Sequence, residues 1–174
     1  MGALSVTGLK TGTTSLDITA GSISKTIPVT VKSSNLLAYG PASGNNLTVS
    51  VAADGSLDMT SSGNVEPGKG VIWTWQCPDE LKGADLVLSY DGSVPGVLVA
   101  EIMGDGNNLA TIWQGSNDKP VHVPSGTKTL SLRVTKGGKT AAPVTGNLKI
   151  KLNVGGKPAA WMKPDSTNVN GAAS

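Results

Sequence analysis

LKIKLNVGGKPAAWMKPD, residues 148–165, is the stretch whose pattern settles the class of this chain. Leu148, Ile150, Leu152 and Val154 alternate with Lys149, Lys151 and Asn153. That is the period of two expected of a strand with one face in a core and one in water. Gly155-Gly156 breaks the alternation, Trp161 stands where it can fold back over the open end of a sandwich, and Pro164 stops regular pairing.

Upstream, the same period recurs in short runs. Candidate strands cover residues 47–51, 57–60, 70–76, 84–90, 96–103, 109–114, 128–135 and 147–154. Asp54-Gly55, Asp91-Gly92, Asp105-Gly106 and Gly137-Gly138 fall between them as turns. Helical periodicity is weak, with Asp79-Glu80-Leu81 after Pro78 offering at most one turn. With 23 Gly, 10 Pro and 38% apolar residues in 174, an all-β chain with one well-buried sandwich and a partial second unit is expected. There is no Phe, so Val, Leu and Ile must build the core and each of the four Trp needs a role.

Charge and cysteine content exclude several classes. Fourteen Lys and Arg against twelve Asp and Glu leave a net charge of +2 without a dense cluster, so no field that steers nucleic acid is expected. Cys77 is alone, which rules out an internal disulfide, and it reads as a buried structural thiol. No 18-residue apolar run occurs, so no membrane insertion is expected. The N-terminus lacks the basic-then-apolar order of a signal peptide, and release in a particle by lysis fits that reading.

Residues 1–33 form a different unit. Three short strands are expected at 4–6, 14–18 and 27–31, with Gly-rich turns at 8–12 and 21–24. Leu16, Ile18, Ile23, Ile27, Val29 and Val31 give them an apolar face. Three strands alone are marginal, so this unit is expected to belong to a longer protein, to dock on a partner or to add to the main domain. Residues 34–165 are read as the main domain, and the small, polar residues 166–174 as a flexible tail.

Two resemblances sharpen the reading. Lys151, Leu152, Val154, Gly155, Gly156, Ala160, Trp161, Pro164 and Asp165 resemble the closing segment of jelly-roll, carbohydrate-binding-like modules on bacteriophage tail and virion-surface proteins, and Asn35-Leu36-Leu37 resembles their opening run. Lys163 departs from that pattern, which more often has a single uncharged residue between the Trp and the Pro. Gly12, Thr13, Thr14, Ile18, Pro28, Val29, Thr30 and Val31 resemble the last third of a bacterial immunoglobulin-like domain. Together they imply a jelly-roll β-sandwich preceded by a short immunoglobulin-like three-stranded segment, acting as a non-catalytic accessory protein at a virion surface.

Trp73 and Trp75, two apart, share a strand face with Val71 and Cys77. Exposed, they would make a platform on which sugar rings stack; buried, they are the core of a domain without Phe. Trp113, followed by Gln114, Asn117 and Asp118, has the composition of a sugar-binding rim, where planar amides and carboxylates meet hydroxyls. Asp105, Asn107, Asn108 and Asp118 offer oxygen ligands to Ca²⁺, yet Asp-Gly-Asn-Asn is foremost a hairpin turn. His122, the sole histidine, cannot make a zinc site alone and reads as a strand-edge or interface residue. There is no nucleophile elbow or phosphate loop, and no catalytic residue, metal or cofactor is expected, although distant carboxylates can still meet as a glycosidase pair. The expected partners are other virion proteins, a host cell-surface polysaccharide and further copies in a homotrimer, with a purely structural decoration protein or a bacterial surface module as the alternatives.

Overall fold

The computed structural model describes residues 11–91, 98–113, 115–116 and 118–174. The chain separates into two compact units, Met1–Ser33 and Ser34–Ser174.

In the first unit, β1 (Gly12–Ala20) and β2 (Ile23–Val31) form an antiparallel hairpin joined by Gly21-Ser22. Gly21 takes φ +61°, the left-handed value that the first position of a two-residue II′ loop demands. The register sets Leu16 opposite Ile27, Thr14 opposite Val29 and Ala20 opposite Ile23, which gathers the apolar residues on one face. Much of that face stays open, Ile18 being 42% and Ile23 73% exposed. Of the three strands expected here, that at 4–6 lies outside the described residues.

The second unit is all-β, with two antiparallel sheets stacked as a β-sandwich. One sheet runs in the order β10 (Asp118–His122), β7 (Asp85–Asp91), β12 (Thr145–Val154), β5 (Leu57–Ser61), β4 (Leu47–Val51), β3 (Ala42–Gly44). The other runs β13 (Ala172–Ala173), β6 (Gly70–Gln76), β11 (Thr129–Lys136), β8 (Leu98–Gly104), β9 (Asn107–Trp113). A single 3-10 turn follows Pro78 at Asp79–Leu81. The inner rows, among them Leu88, Ile150 and Leu152 from one sheet and Trp73, Ile102, Ile112, Leu132 and Val134 from the other, make one continuous core. Each inner residue alternates with one on the outer face, the pattern on which a two-layer fold depends.

The outer row of β12 corrects the two-face reading of that strand. Lys151 and Asn153 are 1% and 4% exposed, because residues 155–163 turn back and run across them. Asn153 Nδ2 donates to the carbonyls of Val154 and Lys157, and its Oδ1 accepts from Ala159 N–H. Lys151 Nζ donates to Ser34 Oγ at 2.8 Å and to the Ala160 carbonyl. Lys149 Nζ lies 5.3 Å from the centroid of Trp161 and 3.2 Å from Asp54 Oδ2. The polar positions therefore anchor a covering segment instead of meeting bulk water. Trp161 seals the outer side of the sheet, not the open end of the sandwich.

β12 also outruns its neighbour. β5 pairs with it only as far as Leu148, and beyond that point no strand among the described residues continues the ladder on that side. Asn35, 3% exposed, replaces the missing strand: its Nδ2 donates to the Ile150 carbonyl at 3.0 Å and its Oδ1 accepts from Leu152 N–H at 3.2 Å. The same amide donates to the Met162 carbonyl at 3.1 Å, and Leu36 N–H reaches the Leu152 carbonyl at 2.8 Å. Buried backbone groups need such partners, and one planar amide meets several at once.

Residues 166–174, expected as a flexible tail, are instead paired. Ser166 bridges Ala38, Gly171 bridges Ala42, and β13 pairs with β6. Glycines make the slot: a Cβ on Gly40 would stand 2.5 Å from the Val169 carbonyl oxygen, and one on Gly44 2.5 Å from Ala173 Cβ. Small residues on both sides let two backbones approach, a signal that composition alone reads as looseness.

Candidate functional site

The four tryptophans occupy different environments. Trp73 is fully buried, donates Nε1–H to the Gly40 carbonyl at 2.9 Å, and tilts against Tyr39 with ring centroids 6.2 Å apart. It belongs to the core, as the alternative reading of that face had it, and no sugar can reach it. Trp75 shares the inward face, opposite Leu130, and packs half-buried against the core. Trp113, at the end of edge strand β9, is 48% exposed.

The proposed platform is therefore not brought together. β6 and β9 are three steps apart in the sheet, about 14 Å at normal strand spacing, and Trp73 and Trp75 point inward. Trp113 is opposite Val99, in the same outward series as Thr111 opposite Glu101. Asp118, exposed, begins β10 at the edge of the other sheet, a short connection away from Trp113. Gln114 and Asn117 lie outside the described residues.

What surrounds Trp113 on its own face is an ordered polar array that the sequence reading did not single out. Glu101 uses both oxygens: Oε2 accepts from Arg133 Nη1 at 3.0 Å and Oε1 from Asn108 Nδ2 at 3.1 Å. Asn108 Nδ2 also donates to Thr111 Oγ1 at 2.9 Å, while Arg133 Nη2 donates to the Gly68 carbonyl at 2.9 Å. Beyond Arg133, Thr74 and Ser131 share a hydroxyl bond of 2.9 Å. The strand register explains the assembly, since Thr111, Glu101, Arg133 and Ile72 stand side by side across β9, β8, β11 and β6. Alternation within each strand marks these positions as outward; only the order of strands makes them neighbours. Lys119 from β10 places Nζ 5.6 Å from the Trp113 ring centroid, within cation–π reach, which steadies the ring.

The remaining candidates are structural. Asp105 takes φ +47° at the hairpin, and its carboxylate accepts from the backbone N–H of Lys128 and Thr129 and from Thr129 Oγ1, which holds its pKa below the usual carboxylate value. Those bonds employ the oxygens that Ca²⁺ would need, in favour of the turn. Among the described residues no group of three or more His, Cys, Asp and Glu could hold a metal ion. His122 Nδ1, on edge strand β10, meets Asp85 Oδ1 of the neighbouring β7 at 2.7 Å, with both side chains largely exposed. Cys77 is buried with Sγ against the Pro78 carbonyl, and burial pushes its thiol pKa up. No described helix is long and apolar enough to cross a membrane, which says nothing of β-barrels.

No protein-family model, curated protein or solved structure matches this chain.

Proposed function

We propose that this chain is a non-catalytic, jelly-roll-type accessory module of a phage particle that assists attachment to a host-surface glycan, with Trp113 and the Thr111, Asn108, Glu101 and Arg133 array as its contact surface. The observation that carries the glycan reading is the half-exposed Trp113 ring beside side chains already fixed by mutual hydrogen bonds. A sugar stacks its C–H face on an indole while its hydroxyls exchange hydrogen bonds with planar groups. Groups held in place before binding lose little entropy on contact. Single-site affinity on so open a surface is weak, and many copies on one particle would raise it by avidity. The virion setting rests on the resemblance of residues 148–165 and 35–37, two stretches that Asn35 joins through Ile150, Leu152 and Met162. A second reading, a purely structural decoration protein, is favoured by the open apolar face of the β1–β2 hairpin, which suits docking on another virion protein.

Tryptophan fluorescence during titration with cell-wall polysaccharides of candidate hosts tests the first reading, with Trp113→Ala and Arg133→Ala in parallel. A saturable change that Trp113→Ala abolishes, with an unaltered unfolding midpoint, is the expected result. Titrations that stay flat with every polymer would leave the decoration role as the better account.

A further inference from the structure

The covering segment and β7 border a cleft of about 360 Å³, whose lining includes Ser89, Asp91, Lys151, Pro158, Ala160 and Trp161. Two features of its wall lack the partners that burial normally requires. Lys151 is 1% exposed, yet no described carboxylate lies within ion-pair distance of it. Of its three N–H donors, two are engaged by Ser34 Oγ and the Ala160 carbonyl. Trp161 Nε1, also buried, has no hydrogen-bond partner among the described residues. Burying a cation without a counter-charge is costly, and a buried indole N–H left unbonded adds to the cost. Lys151 and Trp161 both line this cleft, so one anionic group entering it could satisfy both donors once the Trp161 ring turns its N–H toward it.

The rest of the lining limits what that anion belongs to. Asp91, exposed at the end of β7, repels a bare anion but accepts hydrogen bonds from hydroxyls. Ser89 adds a hydroxyl opposite Lys151 in the strand register, and Pro158 with the Trp161 ring supplies an apolar wall. The volume sits at the low end of ordinary ligand pockets, about 300–1,000 Å³, which suits one ring rather than an oligosaccharide. We propose that this cleft binds a single carboxylate-bearing sugar unit of the hexuronate class. Its carboxylate accepts from Lys151 Nζ and Trp161 Nε1, and its hydroxyls donate to Asp91 and exchange bonds with Ser89. This site is separate from the Trp113 surface and does not depend on it.

The test follows the four indole N–H resonances of the ¹⁵N-labelled full chain during titration with sodium glucuronate, with methyl glucoside and sodium acetate as comparison arms. Trp161→Phe assigns the Trp161 signal. The expected result is a saturable movement of that signal with glucuronate while the Trp113 signal stays in place, with the glucoside and acetate each at least tenfold weaker. Lys151→Met, which keeps length and removes the charge, should weaken glucuronate binding roughly tenfold or more. A Trp161 signal that stays still with glucuronate overturns the proposal, as does an equal response to glucoside or to acetate. Undiminished binding by Lys151→Met does the same, and if that variant fails to fold, the comparison of the three ligands on the native chain decides alone.

Discussion

Asn35→Ala tests the account of how the sandwich is closed. The side chain serves Leu37 and Leu152 N–H as acceptor, at 3.3 and 3.2 Å, and the Ile150 and Met162 carbonyls as donor, at 3.0 and 3.1 Å. Truncation leaves two N–H groups without their acceptor in a site too buried for ready access by water. Each such group costs about 1–3 kcal/mol, and the long bonds place these toward the lower half, for a total of about 3 kcal/mol. With a urea m value of about 2 kcal/mol per molar, the midpoint should fall by about 1.5 M, read by tryptophan fluorescence. Asn35→Asp adds a pH signature. A carboxylate still accepts from the two N–H groups but faces two carbonyls without a proton, so its pKa rises in the folded state above the unfolded value of about 3.9. A raised folded value means that the variant loses stability as pH climbs above about 3.9, until the folded group has ionised as well. Relative to the native chain, Asn35→Asp should therefore be least damaged in acid. A midpoint shift below about 0.3 M for Asn35→Ala, or an Asp variant with the same deficit at every pH, would refute the strand-replacement role.

Three further outcomes are expected. Burial, with a smaller contribution from the Asp54 charge, pushes the Tyr39 pKa well above its usual 10.0, so the unfolded chain releases this proton first; stability should fall as pH rises beyond about 10, and less steeply in Tyr39→Phe. The Asp54 carboxyl, held at about 2 by the Ser56 hydroxyl and N–H and then by Lys149, should titrate near that value in a ¹³C carboxyl NMR experiment and move up in Ser56→Ala. Gly171→Val would set a Cβ 2.5 Å from Ala42 Cβ and 2.6 Å from Trp73 Nε1, so residues 166–174 should leave their slot; limited proteolysis that trims this segment in the variant and spares it in the native chain is the expected readout.

Local pattern carried much of the fold. The strands at 47–51 and 70–76 coincide with β4 and β6, and the single turn after Pro78 stands where the sequence places it. Three strands had too little pattern to see. β3 has three residues and β13 two, while β10 carries Pro120, tolerated because β10 is an edge strand. The site was less legible, for a physical reason. Alternation says that Trp73 and Trp75 share a face, but which face is inward depends on Tyr39 and Gly40, more than thirty residues away. Likewise Lys151 reads as solvent-facing until residues 155–163 are laid over it. Glu101, Asn108 and Thr111 share the β8–β9 hairpin, but Arg133 reaches Glu101 only because the sheet order sets β11 beside β8.

The tryptophan environments also separate the two binding proposals by accessibility. Trp73 has no surface to offer, its indole N–H already bound to Gly40, so a ligand can reach it only by unfolding the core. Trp113 offers a ring on an open face, suited to weak stacking repeated over many copies. Trp161 offers the opposite: a buried N–H with no partner among the described residues, on a cleft also lined by Lys151, whose buried ammonium has no counter-charge among them, where one small ligand could supply what is missing. The first surface should tolerate many glycans with shallow discrimination. The second should discriminate more sharply, because a sugar lacking the carboxylate brings no counter-charge to Lys151, however its hydroxyls bond.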